Sequence, residues 1–203
     1  MNLIERAKNI LIQPQKEWDV IDTEQPDIAG IITGYVLPLA GLAAVASFIG
    51  YGVVGFNYGF MKLSGVNWGL YYALTVFISS IAGVLVSAFV IDALAPSFGS
   101  EKNLGRSVQL VAYSYTASWV GGLLSVLPIL AIVGSLAGIY GLYILYLGFP
   151  KMKKTPADKH VGYFIVSIIT IIAVYVVIGF ILGRILLSVL GLSFGLGDLK
   201  ISL

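Results

Sequence analysis

The side chains that could do chemistry in this sequence are few and stand apart. The chain has no cysteine and a single histidine, His160, which lies in a basic segment between Lys159 and Val161. Serine–histidine catalysis needs the base beside the nucleophile, and a zinc site of the Cys/His type needs several such ligands. We therefore predict a protein that is not an enzyme and that holds no metal and no cofactor.

One acidic string resembles an active-site motif. Gly195-Leu196-Gly197-Asp198 is similar to the G-x-G-D string of intramembrane aspartyl proteases. Those enzymes need a second aspartate at membrane depth, because two carboxylates act as a pair. Asp92, at the boundary of an apolar segment, is predicted to lie on the opposite side. We interpret the string as a turn in the C-terminal tail.

The composition indicates a membrane protein. Hydrophobic residues make up 58% of the 203 residues, charged residues only 11%, and the mean hydropathy is +0.95. A soluble domain carries about 25% charged residues. The net charge of +2 and the lack of a basic patch with interleaved aromatics argue against nucleic acid as a partner.

The apolar segments predict an all-α polytopic bundle of five transmembrane helices, with a short interfacial amphipathic helix at the N-terminus. A bilayer core about 30 Å thick needs roughly 20 apolar residues. The 44 uncharged residues 107–150 are too long for one crossing, so we predict a turn at Ser125–Pro128. The predicted spans are 29–53, 68–91, about 107–126, about 129–149 and 161–183.

This organisation divides the chain into three parts: an N-terminal segment 1–28, a membrane domain 29–183 and a tail 184–203. With five spans, nine lysines and arginines fall on the side of the N-terminus and three on the other. The positive-inside rule then predicts a cytoplasmic N-terminus and a C-terminus on the opposite side. The tail either extends span five or lies on the surface.

The first residues show helical amphipathicity. Leu3, Ala7, Ile10 and Leu11 recur at helical spacing, and Pro14 ends the pattern. The pattern is typical of a helix lying on the cytoplasmic leaflet, with Trp18 as an anchor at headgroup level. The alternative is a short helix packed on the loops.

Polar groups inside or beside the spans are the remaining functional candidates. No charged residue lies within a span, and Asp92 and Arg106 stand at boundaries, within reach of headgroups or of each other. Gln109 is the most polar residue of span three, and we expect it to make an interhelical hydrogen bond. The tyrosines of spans three and four either pack in the bundle or line a solute path. They are Tyr113, Tyr115, Tyr140, Tyr143 and Tyr146.

Two further patterns suggest surfaces of contact. A basic loop after span four is predicted to contact anionic lipid at the cytoplasmic face; its lysines are Lys151, Lys153, Lys154 and Lys159. The G-x-x-x-G pairs in the spans favour close helix packing or an interface between copies of the chain. These pairs are Gly30/Gly34, Gly134/Gly138 and Gly179/Gly183.

In their order along the chain, several short motifs resemble the bacterial branch of the Yip1 family of five-span membrane proteins. They are Ile4–Ile10, Pro14, Glu17-Trp18, Gly34–Pro38, Asp92–Pro96, Ala112–Thr116 and Tyr143–Pro150. The resemblance covers residues 3–183 and draws attention to Tyr35, Pro38 and Pro96 as further candidate residues. Bacterial relatives often carry proline after the Tyr-Thr pair, where this chain has Ala117.

The resemblance implies a multi-pass protein of the bacterial inner membrane. Eukaryotic relatives bind prenylated Rab-type GTPases and shape transport membranes, an activity without an obvious counterpart in a bacterium. Two hypotheses follow. The first is a non-catalytic organiser that binds lipids, a membrane-protein partner or a second copy of itself. The second is a transporter or channel for a small neutral or amphiphilic solute, lined by Gln109, Tyr113, Tyr115 and Tyr143.

Overall fold

The computed structural model describes residues 2–58 and 61–192, and apart from one small hairpin the fold is all-helical. Four of its helical segments are long and apolar enough to cross a membrane: Ile28–Val54, Val66–Phe98, Pro128–Lys153 and His160–Val189. These correspond to predicted spans one, two, four and five. The predicted turn at Ser125–Pro128 is present, because two short 3₁₀ helices meet there at the extended residue Leu127.

Helices α1 (Leu3–Ile12) and α2 (Pro14–Thr23) form the N-terminal segment. The first long helical segment contains α3 (Ile28–Ile31), a π-helical turn (Ile32–Val36), α4 (Leu37–Phe48) and a second π-helical turn (Ile49–Val54). The widened first turn comes directly before Pro38, whose ring has no amide to donate to the carbonyl of Gly34.

A hairpin that the sequence analysis did not predict follows this segment. Strands β1 (Phe56–Tyr58) and β2 (Met61–Leu63) pair antiparallel, with Phe56 opposite Leu63. Gly55 and Gly65 flank the hairpin with positive φ angles of 76° and 109°, which favour glycine.

The remaining helices are α5 (Val66–Leu94), α6 (Leu104–Ser114), α7 (Thr116–Gly122), α8 (Ala131–Lys153) and α9 (His160–Val189). A 3₁₀ helix (Ala95–Phe98) extends α5, and the 3₁₀ helices Leu123–Val126 and Pro128–Leu130 join α7 to α8. Because α9 continues without a break past Arg184 to Val189, the first part of the predicted tail extends span five. The Gly195–Asp198 string lies outside the described residues.

The predicted third span is two helices rather than one. The chain leaves regular α-helix at Tyr115, between α6 and α7, so neither helix alone is long enough to cross a bilayer. The hydroxyl of Ser114 donates to the carbonyl of Leu110, and that of Thr116 donates to the carbonyl of Tyr113. Side-chain bonds of this kind bend helices because they compete for backbone acceptors.

Helices α6 and α7 nevertheless run antiparallel to α8 along its length. Lys153 contacts Ser107 at one end, Gly148 lies against Leu110, and Gly141 lies close to the carbonyl of Ser114. At the other end Gly134 and Gly121 bring their backbones together, which is the close approach that a G-x-x-x-G position permits. By contrast, Gly34 and Gly179 face open space.

The N-terminal segment packs on one end of the bundle. Ile10, Trp18 and Ile21 are fully buried, and the Trp18 indole donates to the carbonyl of Ile144 in α8 over 3.0 Å. Trp18 is therefore not an anchor at headgroup level, because its indole is enclosed by the bundle. Ile4 and Ile12 remain exposed on α1, so this helix combines a packed face with an apolar surface.

Candidate functional site

The end of the bundle that carries the N-terminal segment holds two buried ion-pair clusters, and together they form the candidate site. The first, which we call the Lys153 cluster, contains Asp92, Asn103, Ser107 and Lys153. Asp92 lies near the end of α5, Lys153 is the last residue of α8, and Ser107 lies in the first turn of α6. The cluster thus joins the ends of three helices.

The Lys153 ammonium has a complete set of acceptors. Its Nζ donates to Asp92 Oδ1 at 2.9 Å, to Ser107 Oγ at 2.8 Å and to the carbonyl of Asn103 at 3.2 Å. The Ser107 hydroxyl donates in turn to Asp92 Oδ1 at 3.3 Å. Because an ammonium has three donors, none is left for an outside ligand. The Lys153 side chain is 0% exposed and that of Asp92 is 9% exposed.

This geometry corrects two expectations. Lys153 is not available to anionic lipid, since its charge is neutralised inside the protein. Asp92 pairs with Lys153 and not with Arg106, whose guanidinium donates to the carbonyls of Ile21 and Asp22 instead. Arg106 therefore ties α6 to the N-terminal segment.

The second cluster, which we call the Arg6 cluster, holds α1 against α2 and the bundle. Arg6 Nη1 donates to Glu17 Oε1 at 2.6 Å, and Nη2 donates to Glu24. The guanidinium carbon lies 5.3 Å from the centre of the Tyr113 ring, a cation–π distance. Arg6 and Glu17 are both buried, so each charge depends on the other for its solvation.

Aromatic contacts connect the Arg6 cluster to the membrane helices. The Tyr113 and Tyr35 rings meet edge to face, with centroids 5.0 Å apart. The Tyr35 hydroxyl is hydrogen-bonded to Thr116 Oγ1 at 2.7 Å. Trp18 also packs against Tyr113, with ring centroids 6.4 Å apart. Residues from four separate motifs thus converge on one buried contact.

The other predicted tyrosines are dispersed. Tyr115 is hydrogen-bonded to Ser87 and Tyr175, near the middle of the bundle. Tyr146 stacks on His160, whose Nε2 lies 3.1 Å from the Tyr146 carbonyl oxygen. Tyr143 is half-exposed and stacks on Tyr140. The structure does not bring these side chains to one site.

Gln109, Pro38 and Pro96 each occupy a position where a structural role accounts for the residue. Gln109 is buried, and its side-chain oxygen accepts from Arg106 Nη1 at 3.2 Å, within the same helix. The expected interhelical bond of Gln109 is therefore an intrahelical one. Pro38 lies at the start of α4, and Pro96 lies in the 3₁₀ turn that ends the α5 segment.

The lysines of the loop after α8 differ in exposure. Lys151 is half-buried and pairs with Asp19 of α2. The Lys154 side chain is 72% exposed, and its Nζ lies 3.2 Å from Glu101 Oε2. Lys159 is exposed. Further exposed lysines at this end are Lys8, Lys16 and Lys102. The exposed lysines at this end therefore come from several segments and not from one loop.

The charged members of the Arg6 cluster were missed by sequence reasoning, although a signal was present. Arg6 lies in the same helical stripe as Leu3, Ala7 and Ile10, and Glu17 lies beside Trp18 and Ile21 in the stripe of α2. Charges within two neighbouring apolar stripes indicate a buried ion pair, because burial of either one alone is too costly.

Within residues 2–58 and 61–192, no group of three or more His, Asp or Glu side chains is placed to hold a metal ion. The two clusters at this end of the bundle neutralise buried charges and hold the helix ends in fixed orientations. What they leave accessible is a charged surface on which exposed lysines stand beside exposed carboxylates such as Glu5, Asp22, Glu101 and Asp158.

The comparison with known proteins leads to the same family as the order of the motifs and the apolar segments. The sequence model of the Yip1 domain matches residues 8–193. The chain belongs to the Yip1 family. It is a multi-pass membrane protein of this family, whose members are generally non-catalytic.

Two curated relatives of this Yip1-domain protein share 28% identity with it over 117 residues. Both are called inner membrane protein YohC, from Escherichia coli K12 and from Escherichia coli O6:H1. The match covers 57% of this chain and 60% of the length of each relative. No solved structure matches the chain.

Replacing Arg6 tests whether its ion pairs hold the N-terminal segment. In Arg6→Gln the Glu17 carboxylate stays buried without its partner, and breaking a buried pair costs about 3–5 kcal/mol. We expect residues 3–23 to exchange their amide hydrogens much faster than in the parent protein, as measured by mass spectrometry in detergent.

Lys8→Gln is the matched control, because Lys8 is exposed on the same helix. Its exchange should equal that of the parent. In Arg6→Gln/Glu17→Gln the unpaired carboxylate of Glu17 is removed as well, so the amide hydrogens of residues 3–23 should regain part of their protection from exchange. Equal exchange in Arg6→Gln and Lys8→Gln would show that the ion pairs do not hold the segment.

Proposed function

We propose that this chain is a non-catalytic organiser of a bacterial inner membrane that binds anionic lipid through a basic cytoplasmic surface. Protein partners or a second copy of the chain would bind to its membrane-embedded helices. This proposal rests on the difference between the basic side chains that are buried and those that are exposed. Arg6 and Lys153 are buried in ion pairs, whereas the lysines left exposed stand at the same end of the molecule.

We give the name basic surface to the exposed lysines Lys8, Lys16, Lys102, Lys154 and Lys159. They come from α1, α2, the α5–α6 connection and the α8–α9 connection, which the two clusters hold together. Exposed carboxylates stand on the same segments, and one of them, Glu101, pairs with Lys154. Each basic side chain near an anionic leaflet contributes on the order of 1 kcal/mol. Exposed Ile4 and Ile12 on α1 add apolar side chains that suit the lipid interface.

We propose five crossings, with the broken segment α6–α7 as the third. Residues 104–126 are helical apart from Tyr115 and would span about 34 Å at 1.5 Å per residue, enough for the hydrocarbon core. Their antiparallel contacts with α8, from Ser107 to Gly121, support a crossing of equal depth. The helix break at Tyr115 is tolerated because it lies inside the bundle.

Five crossings place the basic surface and the α7–α8 turn on opposite sides of the membrane. The chain has no cysteine, so single cysteines report position without a background. In spheroplasts, we expect a membrane-impermeant maleimide to label Leu127→Cys and to leave Lys102→Cys unlabelled until lysis. Labelling of both positions from the same side would contradict the third crossing.

The basic surface is tested by the double variant Lys154→Gln/Lys159→Gln. Loss of two charges at about 1 kcal/mol each should weaken binding of phosphatidylglycerol on the order of 30-fold. The measurement is native mass spectrometry of the detergent-solubilised protein titrated with phosphatidylglycerol, with phosphatidylcholine as the uncharged reference.

The matched control is Lys154→Arg/Lys159→Arg, which keeps both charges and should bind as the parent does. Because both side chains are exposed, neither variant should alter the free energy of unfolding by more than about 0.5 kcal/mol. Equal phosphatidylglycerol affinity in the Gln and Arg variants would overturn the proposed role of this surface.

A further inference from the structure

A cleft of about 510 Å³ lies between the membrane helices, apart from the two ion-pair clusters. Its walls come from α4, α5, α7, α8 and α9. Its lining residues run from Tyr115, just before α7, to Ser125, just after it, about 15 Å at 1.5 Å per residue. Its volume falls within the range of about 300–1,000 Å³ that ligand pockets occupy.

Small residues create the space. Gly121 and Gly122 of α7 line the cleft together with Ala131, Gly134 and Gly138 of α8, and Gly122 lies close to Ala43 of α4. Gly121 and Gly134 bring the two backbones together, but at Gly138 an added Cβ would meet only the Ser118 Oγ, at 3.7 Å. Because 3.7 Å is an ordinary van der Waals distance, Gly138 has room beside it that Gly134 lacks.

Most of the lining surface is apolar, with hydroxyl groups placed along it, and among residues 2–58 and 61–192 no charged side chain lines it. Six serines and four tyrosines contribute to the lining, together with the Trp119 indole. They are Ser47, Ser79, Ser80, Ser118, Ser125, Ser135, Tyr51, Tyr72, Tyr115 and Tyr175.

Several of these hydroxyls already pair within the protein. Ser47 is hydrogen-bonded to Ser125, Trp119 donates to Ser80, and Tyr115 contacts Tyr175. In the described part of the chain, the side-chain hydroxyls of Ser79 and Ser118 make no hydrogen bond. Ser118 is exposed although its neighbours Ala117 and Trp119 are buried. The cleft thus offers polar contacts that the protein itself does not use.

We propose that this cleft binds a neutral single-chain glycerolipid, of the monoacylglycerol class, with its chain against the apolar part of the lining and its head at hydroxyls such as that of Ser118. Serine and tyrosine hydroxyls match the hydroxyl and ester oxygens of such a head. A phosphate or carboxylate head would be buried there without a cation, which is costly. The lining residues from Tyr115 to Ser125 cover about 15 Å, a length that suits one acyl chain.

The test is photo-crosslinking in phosphatidylcholine nanodiscs with a diazirine-bearing monoacylglycerol. We expect saturable labelling of peptides covering residues 115–138, displaced by excess unlabelled monoacylglycerol. Gly138→Leu fills the cleft and should reduce this labelling on the order of tenfold or more, as expected when a pocket loses space for a few methylenes. A diazirine-bearing phosphatidylglycerol should not label these peptides saturably.

Gly179→Leu is the matched control, since it makes the same change on α9 where the glycine faces open space. Its labelling should equal that of the parent. Ser118→Leu fills the cleft from the opposite wall and should act as Gly138→Leu does, which guards against a folding defect in one variant. Parent-like thermal unfolding identifies the variants that remain folded.

Three results would overturn the proposal. The first is labelling that does not saturate, which indicates ordinary contact with the bilayer. The second is equal labelling in the Gly138→Leu, Ser118→Leu and Gly179→Leu variants. The third is glycerol permeation through proteoliposomes that Gly138→Leu abolishes, combined with no saturable labelling by the lipid probe. That last pattern would assign the cleft to passage of a small neutral solute.

Discussion

The cost of burying a charge is the constraint on which this structure depends. Lys153 ends a long apolar helix and has no access to water, so its ammonium must find all its partners inside the protein. Asp92, Ser107 and the carbonyl of Asn103 provide them. Because these groups belong to α5, α6 and their connection, satisfying one charge fixes the ends of three helices relative to one another.

The same constraint accounts for the N-terminal segment. Arg6 and Glu17 lie on the buried faces of α1 and α2, so the two helices must pack together for either charge to be neutralised. Tyr113 and Tyr35 then transmit this contact to the first span and to α6. Several motifs that identify the family thus surround a packing contact. The exposed lysines and the cleft lie outside this contact.

The sequence was sufficient to predict the long apolar helices and the turn at Ser125–Pro128, because the distribution of charges and one proline determine them. It was not sufficient to predict which lysine is buried. Lys153 and Lys154 are neighbours of the same type, and only the approach of Asp92, 61 positions earlier, distinguishes them. The burial of Trp18 likewise depends on the Ile144 carbonyl, 126 positions away.

The helix break at Tyr115 shows a limit of a different kind. A hydropathy pattern registers an uncharged segment but not the hydroxyls of Ser114 and Thr116, which bond to backbone carbonyls within the helix. The cleft also has no signature in hydropathy. It forms where small residues of α7 and α8 meet α4, α5 and α9, and Gly138 there has only Ser118 nearby, whereas Gly134 four residues earlier is in tight contact.

The most direct measurement of the central claim is a double-mutant cycle between Asp92 and Lys153, read as the free energy of unfolding in mixed micelles. Asp92→Asn and Lys153→Met should each lower it by about 3–5 kcal/mol, since each leaves a buried charge without its partner. The double variant should be more stable than the sum of the two losses predicts, by about 1–3 kcal/mol. Losses that simply add would contradict the account, because they would show that the two side chains do not depend on each other.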